Sequence, residues 1–347
     1  MPAELHLDRR RLARFAWGVL AYNLLVIAWG AFVRATGSGA GCGKHWPLCN
    51  GEVVPTPKSV ATIIEASHRL TSGIALVLVM ILAVQCVRKL PKGDRARRGA
   101  VLSGVFMVGE ALIGAGLVLF ELVAHDTSMK RALSMVLHLG NTFFLLASLS
   151  LTAWWLARPE AAPAEPAARG KGDRLLRAAL AVSLGGVLLL ASSGAIAALG
   201  DTLFPARSLR EGLAQDLSPM AHAFVKLRML HPMIALATGV VVLATAGLVR
   251  MLRPEPRVVS LSRLATLLFV VQFVAGLINV ALLAPVAMQL VHLLLADAVW
   301  IALVLMAWEA VQAPSIMSRK GPAPSSDMPP STSNVEPVTY APAGETR

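Results

Sequence analysis

Eight runs of about 20 apolar residues account for most of the sequence, and each is long enough to cross a lipid bilayer as a helix. Of the 347 residues, 56% are hydrophobic and 15% are charged, which is less charge than a water-soluble domain carries. We therefore predict an all-α membrane protein with eight transmembrane helices. The predicted spans are residues 13–33, 62–87, 99–122, 132–156, 175–199, 226–249, 264–284 and 288–311.

The basic residues predict how the chain is oriented in the membrane. The net charge is +12, and lysines and arginines cluster at the ends of the apolar runs. If both termini and the loops after spans 2, 4 and 6 are cytoplasmic, that side carries 22 Lys and Arg and the other side carries 10. Cytoplasmic loops are enriched in these residues, so both termini are predicted to face the cytoplasm. Membrane orientation explains the charge better than nucleic-acid binding, and no nucleic-acid partner is expected.

Short segments in the first half of the chain are echoed in the second. LHL at 137–139 resembles VHL at 291–293, and EALIG at 110–114 resembles QFVAG at 272–276. Parallel repeats of this kind are known in membrane proteins, so we predict two pseudo-symmetric four-helix bundles. The predicted units are an N-terminal bundle (1–157), an Ala/Pro/Glu-rich linker (158–174), a C-terminal bundle (175–312) and a disordered cytoplasmic tail (313–347).

Each even-numbered span has a histidine just inside its outer end. A single histidine in a span can serve as an interhelical hydrogen-bonding group. Four at one depth, roughly 6–10 Å below the outer interface and two per bundle, favour one bis-histidine haem iron site in each bundle. The four are His68, His138, His231 and His292. Zinc or copper is the metal alternative, completed by histidines of the outer loops, which are His45, His125 and His222.

Glu65 lies three residues before His68, so both side chains share one face of the helix. The carboxylate could stabilise the N-terminus of the helix, or act as a general base or charge stabiliser over whatever His68 binds. The position three before His231 is Arg228 instead. This asymmetry predicts that the first bundle carries out the chemistry and the second holds a cofactor.

Three more charged residues lie in or near the spans. Arg34 and Arg69 are near the outer face, where they could pair with haem propionates or extend to the membrane interface. Glu110 lies deep in span 3, where it could be neutral and hydrogen-bonded or part of a proton path.

Two cysteines, Cys42 and Cys49, lie close together in the first outer loop. The outer side of a bacterial-type inner membrane is oxidising, so a disulfide is favoured over a thiol–metal site. Cys86, inside span 2, is predicted to be an apolar core residue.

Three motifs in the first half resemble the haem A synthase family. Residues 30–39 read GAFVRATGSG, residues 42–49 read CGKHWPLC and residues 64–69 read IEASHR. The resemblance extends over all eight spans and is weaker in the second half. It implies an oxidoreductase that converts the C8 methyl group of haem O to a formyl group, with oxygen derived from water. The product, haem A, would serve haem-copper terminal oxidases.

The resemblance also implies roles for individual residues. Glu65, His68 and His138 would line the haem O site with Glu65 catalytic, and His231 and His292 would ligate a haem b. Cys42 and Cys49 would form the loop disulfide. A haem O synthase would supply the substrate, and the location would be the bacterial inner membrane, with the haem sites near its outer face. The oligomeric state is left open, a homo-oligomer included.

The sequence departs from the family pattern at two positions. Pro232 follows His231 where the His-Arg pair of His68 and Arg69 would be expected, and Glu110 stands where the family tends to have glutamine. Two other functions remain open at this point. One is a di-haem membrane cytochrome b that only transfers electrons, which has no need of an acid beside one ligand. The other is a haem-binding chaperone.

Overall fold

The computed structural model describes residues 3–56, 59–158 and 171–314. Eight helical segments in these ranges are long and apolar enough to cross a membrane, and one of them, Ala223–Leu252, consists of two consecutive helices. The predicted all-α fold with eight spans is therefore confirmed. The helices of the described residues are α1 (Ala3–Ala35), α2 (Val60–Lys89), α3 (Arg95–Leu119), α4 (Met129–Leu156), α5 (Lys171–Leu203), α6 (Leu209–Leu217), α7 (Ala223–Arg228), α8 (Leu230–Leu252), α9 (Pro256–Ala281) and α10 (Val286–Gln312).

Polar caps make α3 and α4 begin about one turn before the apolar runs that predicted them. The side chain of Asp94 accepts a hydrogen bond from the Ala96 amide at 2.8 Å. The hydroxyl oxygen of Ser128 accepts one from the Arg131 amide at 3.2 Å. Such caps satisfy backbone N–H groups that have no partner within the helix. The predicted starts at 99 and 132 are therefore late, because a count of apolar residues does not register a polar first turn.

The outer ends of α3 and α9 close in the same kind of turn, three residues before the predicted ends at 122 and 284. The Leu122 amide donates to the carbonyl of Leu117 at 2.9 Å, and the Ala284 amide donates to that of Asn279 at 2.7 Å. These bonds define Schellman caps, in which one residue adopts a left-handed backbone. The residues that do so are Glu121 (φ 57°) and Leu283 (φ 62°).

The sixth span is interrupted at Met229, where the structure has α7 and α8 instead of one helix over 226–249. Pro232 explains the break. It has no N–H to donate to the carbonyl of Arg228, four residues earlier, and its ring crowds that carbonyl. The interruption lies two residues before His231. It therefore affects where along the span the His231 side chain enters the protein interior.

The eight spans pack as two groups of four. In the first group α1 contacts α2 and α4, and α3 contacts α2 and α4. In the second, α5 contacts α8 and α10, and α9 contacts α8 and α10. The groups meet where α1 and α4 pack against α5 and α10. We call them the first half and the second half. Their pseudo-symmetry and the cytoplasmic position of both termini stay predictions.

The predicted boundaries of the linker and the tail fall largely outside the described residues. Residues 159–170 and 315–347 are not described, so the flexible linker and the disordered tail stay predictions. At the C-terminal end of the predicted linker, α5 already begins at Lys171, four residues before the predicted start of the C-terminal bundle at 175.

An aromatic contact joins the two halves at their centre. Trp300 of α10 is 3% exposed and donates its indole N–H to the backbone carbonyl of Phe143 in α4, at 2.7 Å. The two rings also stack, with centroids 5.1 Å apart. A buried indole N–H that is hydrogen-bonded avoids the cost of an unpaired donor. This contact fixes α4 against α10, the helices that carry His138 and His292.

Candidate functional site

A cavity of about 1040 Å³ lies between the two halves, and all four span histidines line it. The rings of His231 and His292 lie nearly perpendicular to each other, with centroids 6.4 Å apart and planes at 86°. His68 and His138 lie within electrostatic range of each other on the first-half side. The structure thus brings together the histidines that the sequence singled out. Both pairs border one cavity, and one bis-histidine iron site in each half stays a prediction.

Glycines on the preceding spans make room for three of these imidazoles. A Cβ added to Gly30 would lie 2.9 Å from Cε1 of His68. The same addition at Gly194 would lie 3.0 Å from Cε1 of His231, and at Gly276 it would lie 3.0 Å from Cε1 of His292. Any larger residue would push the ring away, so the glycines let the imidazoles sit against the neighbouring backbone. His138 has no such neighbour, because a Cβ at Gly114 meets nothing within 4 Å.

The ring nitrogens of the histidines have few protein partners. Nδ1 of His231 lies 2.9 Å from the hydroxyl of Ser193, and Nε2 of His292 lies 3.3 Å from the side-chain amide nitrogen of Gln272. Nδ1 is buried and has no hydrogen-bond partner among the described residues in His68, His138 and His292. Buried polar atoms are normally paired, so these nitrogens indicate that a further group belongs in the cavity.

A haem fits this donor set better than zinc or copper. Two imidazoles per half would suffice to hold one haem iron, and the remaining wall of the cavity is largely apolar. A closed zinc site needs four ligands at close quarters. No group of three or more His, Cys, Asp or Glu side chains that could hold a metal ion occurs in the part of the chain that the structure describes. The loop histidines His45 and His125 are exposed, and His222 caps α7.

Glu65 is buried, with 3% of its surface exposed, at the outer end of the cavity. Its Oε1 accepts hydrogen bonds from Nε (3.1 Å) and Nη2 of Arg69. Its Oε2 accepts one from the backbone N–H of Cys42 at 2.8 Å. These contacts orient the carboxylate and join α2 to the first outer loop. The side-chain cap of α2 is Ser59, which accepts a hydrogen bond from the Thr62 amide.

The first outer loop is held against α2 by a disulfide and by close backbone packing. Cys42 and Cys49 form the disulfide, with their Cα atoms 4.4 Å apart. A Cβ added to Gly41 would lie 2.4 Å from the backbone of Ala61, so only glycine fits there. Arg69 of α2 donates hydrogen bonds to the backbone carbonyls of His45 and Leu48. Both carbonyls belong to the loop that the disulfide closes. The loop therefore forms part of the wall around Glu65.

The disulfide predicts the outcome of a thiol count. The chain has three cysteines, and Cys86 is a buried free thiol. Maleimide labelling of the denatured chain should modify one cysteine without reductant and three after reduction. Mass spectrometry of the labelled peptides should place the single label on Cys86. Labels on Cys42 and Cys49 without reductant would contradict the bridge.

Arg34 connects the two halves at their outer ends. From α1 it donates to the Ala198 carbonyl and the Thr202 hydroxyl of α5, each at 2.8 Å. It also donates to the side-chain oxygen of Gln289 in α10, at 2.8 Å. The side chain lines the cavity. Arg69 is likewise held by Glu65 and the loop carbonyls.

Replacing Arg34 with alanine should weaken the contact between the halves. Hydrogen bonds to a charged group contribute about 1.5–3 kcal/mol each, and partial compensation leaves an expected loss of about 2–3 kcal/mol. Thermal unfolding of the purified chain should show a lower midpoint. Arg210→Ala is the matched control, because Arg210 is exposed on α6. An unchanged midpoint in Arg34→Ala would contradict the bracing role, and unchanged haem content would contradict the prediction that Arg34 binds cofactor.

The chain matches the cytochrome oxidase assembly protein family, COX15-CtaA, over residues 13–304. It belongs to this family. The chain is 50% identical over 302 residues to a Thermus thermophilus protein named "Protoheme IX farnesyltransferase", covering 87% of this chain and 49% of that protein. It is 50% identical over 97 residues to "Heme A synthase" of Bacillus cereus, covering 28% of this chain and 31% of that protein.

A "Heme A synthase" of Bacillus anthracis matches with the same identity and coverage. The chain spans about half the length of the Thermus relatives that it matches.

Two acidic residues within the spans of this family member were not given a place in the site from the sequence. Glu110 of α3 lies next to His138, with Oε2 at 2.9 Å from Nδ1. Asp297 of α10 is fully buried, five residues after His292, and neither carboxyl oxygen has a hydrogen-bond partner among the described residues. Sequence reasoning missed Asp297 altogether. The signal was available, because an ionisable residue within a span is a functional candidate by default.

Proposed function

We propose that this chain is a haem A synthase, which oxidises the C8 methyl group of haem O to a formyl group. The observation that carries the proposal is the arrangement of two histidine pairs and one buried carboxylate around a single cavity. The relatives named "Heme A synthase" support the same activity. The haem A formed would be used by haem-copper terminal oxidases, which agrees with the role in cytochrome oxidase assembly that the family description gives.

We assign the two histidine pairs different tasks. His68 and His138 would hold the iron of haem O in the first half, and His231 and His292 would hold a haem b in the second. Bound haem supplies an iron centre that can change oxidation state. Both pairs line one cavity with a largely apolar wall, so both groups would lie in the same compartment. This proximity would let the second half accept electrons that the oxidation releases in the first.

Glu65 would act on the substrate from the outer end of the first-half site. Its contacts with Arg69 and the Cys42 amide hold both carboxylate oxygens in fixed directions. A carboxylate held in this way can accept a proton from water or stabilise positive charge near the reacting methyl group. The second half has no acid at the corresponding position, where Arg228 pairs with Asp201 and Asp216. Chemistry is therefore assigned to the first half.

A farnesyltransferase is the proposed source of the substrate. The Thermus relatives are about twice as long as the stretch that this chain matches, and they are named for farnesyl transfer to protohaem IX. Haem O is the farnesylated form of protohaem, so a donor of that class would deliver it. We further propose that the protein resides in a bacterial inner membrane, with the sites near its outer face. The relatives do not support an electron-transfer cytochrome b as the alternative.

Haem extraction from cells tests the proposed function. The chain would be co-expressed with a farnesyltransferase that makes haem O, in a host that makes no haem A of its own. Chromatography of acid-extracted haems should show haem A only when the chain is present. Accumulation of haem O without haem A, with the chain correctly inserted and loaded with haem, would contradict the proposal and favour a carrier.

A further inference from the structure

Glu110 is the acidic side chain that contacts a span histidine directly. It extends from α3 towards α4, and 13% of its side chain is exposed. Its Oε1 accepts hydrogen bonds from the Asn141 side-chain amide at 2.6 Å and from the Thr142 hydroxyl at 3.1 Å. Its Oε2 lies 2.9 Å from Nδ1 of His138, in an ion-pair contact that is not an aligned hydrogen bond.

The contacts from α4 fix where the carboxylate sits. Asn141 also donates to the backbone carbonyl of Phe106 at 2.8 Å, so its amide is held from two sides. Thr142 donates to Glu110 from the next position along the same helix. With Oε1 occupied in this way, Oε2 is left directed at Nδ1 of His138. The opposite nitrogen of that ring, Nε2, is then the one free to face the cavity.

The corresponding place in the second half holds an amide instead of a carboxylate. Gln272 of α9 is matched to Glu110 by the shared spacing to a glycine four residues later. Its side-chain nitrogen lies 3.3 Å from Nε2 of His292, and its Oε1 has no hydrogen-bond partner among the described residues. The two halves thus place groups of similar shape but different charge next to one histidine each, although at opposite ring nitrogens, Nδ1 of His138 and Nε2 of His292.

We propose that Glu110 is a positioning residue that holds His138 with Nε2 towards the cavity and gives the first-half iron a lower reduction potential than the second-half iron. This inference rests on the proposed function. A carboxylate that accepts the second ring N–H of a ligating histidine fixes the ring and makes the ligand more basic. A more basic ligand stabilises the oxidised iron. A neutral amide beside His292 gives that iron no such bias.

The test exchanges the two side chains. Glu110→Gln keeps the shape and removes the charge, and Gln272→Glu makes the reverse change beside His292. Each full-length variant would be purified, loaded with protohaem IX and titrated by spectroelectrochemistry. Chains that lack one histidine pair assign each redox wave to its half. Removing a hydrogen-bond partner of a metal-ligating histidine typically costs 10–100-fold in metal affinity or activity. We expect Glu110→Gln to shift the first-half equilibrium about tenfold towards reduced iron, or about 59 mV for one electron.

Gln272→Glu should shift the second-half wave in the opposite direction and leave the first-half wave in place. A purely structural role for Glu110 would not produce two shifts of opposite sign. If Glu110→Gln retains its first-half haem and the reduction potential of that haem does not rise, the inference is overturned. If this variant loses the first-half haem, Gln272→Glu decides. A lower reduction potential of the second-half haem supports the electrostatic effect, and an unchanged potential overturns the inference.

Failure of this inference can be told apart from failure of the proposed function. Haem in both halves with no shift in either variant contradicts the role of Glu110 alone. A wild-type chain that takes up haem in neither half contradicts both, whatever the variants show.

Discussion

Replacing Glu65 with glutamine is expected to stop the formation of haem A while the second-half haem is retained. Loss of a positioned acid–base group typically lowers a rate about 10²–10⁴-fold. Glutamine keeps an oxygen that can accept a hydrogen bond from the Cys42 backbone N–H, so the loop should stay packed against α2. The measurement is the ratio of haem A to haem O extracted from cells that supply haem O, alongside the absorbance of the purified protein.

The matched control for Glu65→Gln is Glu121→Gln. Glu121 is also on the predicted outer side, but its side chain is 60% exposed and pairs with Lys44 in solvent. Exposed ion pairs contribute about 0–1 kcal/mol, so this variant should behave as the wild type. Undiminished haem A from Glu65→Gln would contradict the catalytic assignment. Loss of haem A together with a reactive Cys42 thiol would instead indicate that the outer loop had come apart.

Replacing His231 or His292 with alanine should remove most of the bound haem b. The two rings are 6.4 Å apart across the cavity, and a bis-imidazole site loses one of its two axial ligands in either variant. Each variant should also unfold at a lower temperature than the haem-loaded wild type, because a ligand stabilises the state that binds it. Absorbance of the reduced protein and the ratio of haem to protein are the measurements.

His125→Ala is the control for the histidine variants, because His125 is exposed in an outer loop. Gly194→Ala adds an indirect test, since the new Cβ would lie 3.0 Å from the His231 ring and displace it. It should weaken the haem spectrum without removing a ligand. Retention of a full haem spectrum in both His231→Ala and His292→Ala would contradict the assignment of this pair.

The apolar runs predicted the spans because a transmembrane helix must be apolar along the whole length that crosses the hydrocarbon core of the bilayer. They did not predict the ends, since capping by Asp94 and Ser128 depends on single polar atoms. The break before His231 could have been found from Pro232, which removes one helical hydrogen bond. The proline was noticed as a departure from the family pattern, but its effect on the preceding turn was not considered.

The histidines of the site were found from their common depth, which depends only on position along each span. That both pairs share one cavity could not be predicted, because the faces of α1 and α4 that meet α5 and α10 are decided by packing. The contact between Glu110 and His138 could not be predicted either, because it also depends on how the helices pack. Its neighbour His138 lies on another helix, and no spacing within the sequence joins them.

The most direct test of this account is electron paramagnetic resonance of the ferric, haem-loaded chain with only one histidine pair intact. A chain carrying His68→Ala and His138→Ala should keep one low-spin bis-imidazole signal, from the second half. A chain carrying His231→Ala and His292→Ala should keep the other, from the first half, and the wild type should show both. A single signal in the wild type that disappears in both double variants would contradict the account, because it would mean that the four histidines do not form two independent pairs.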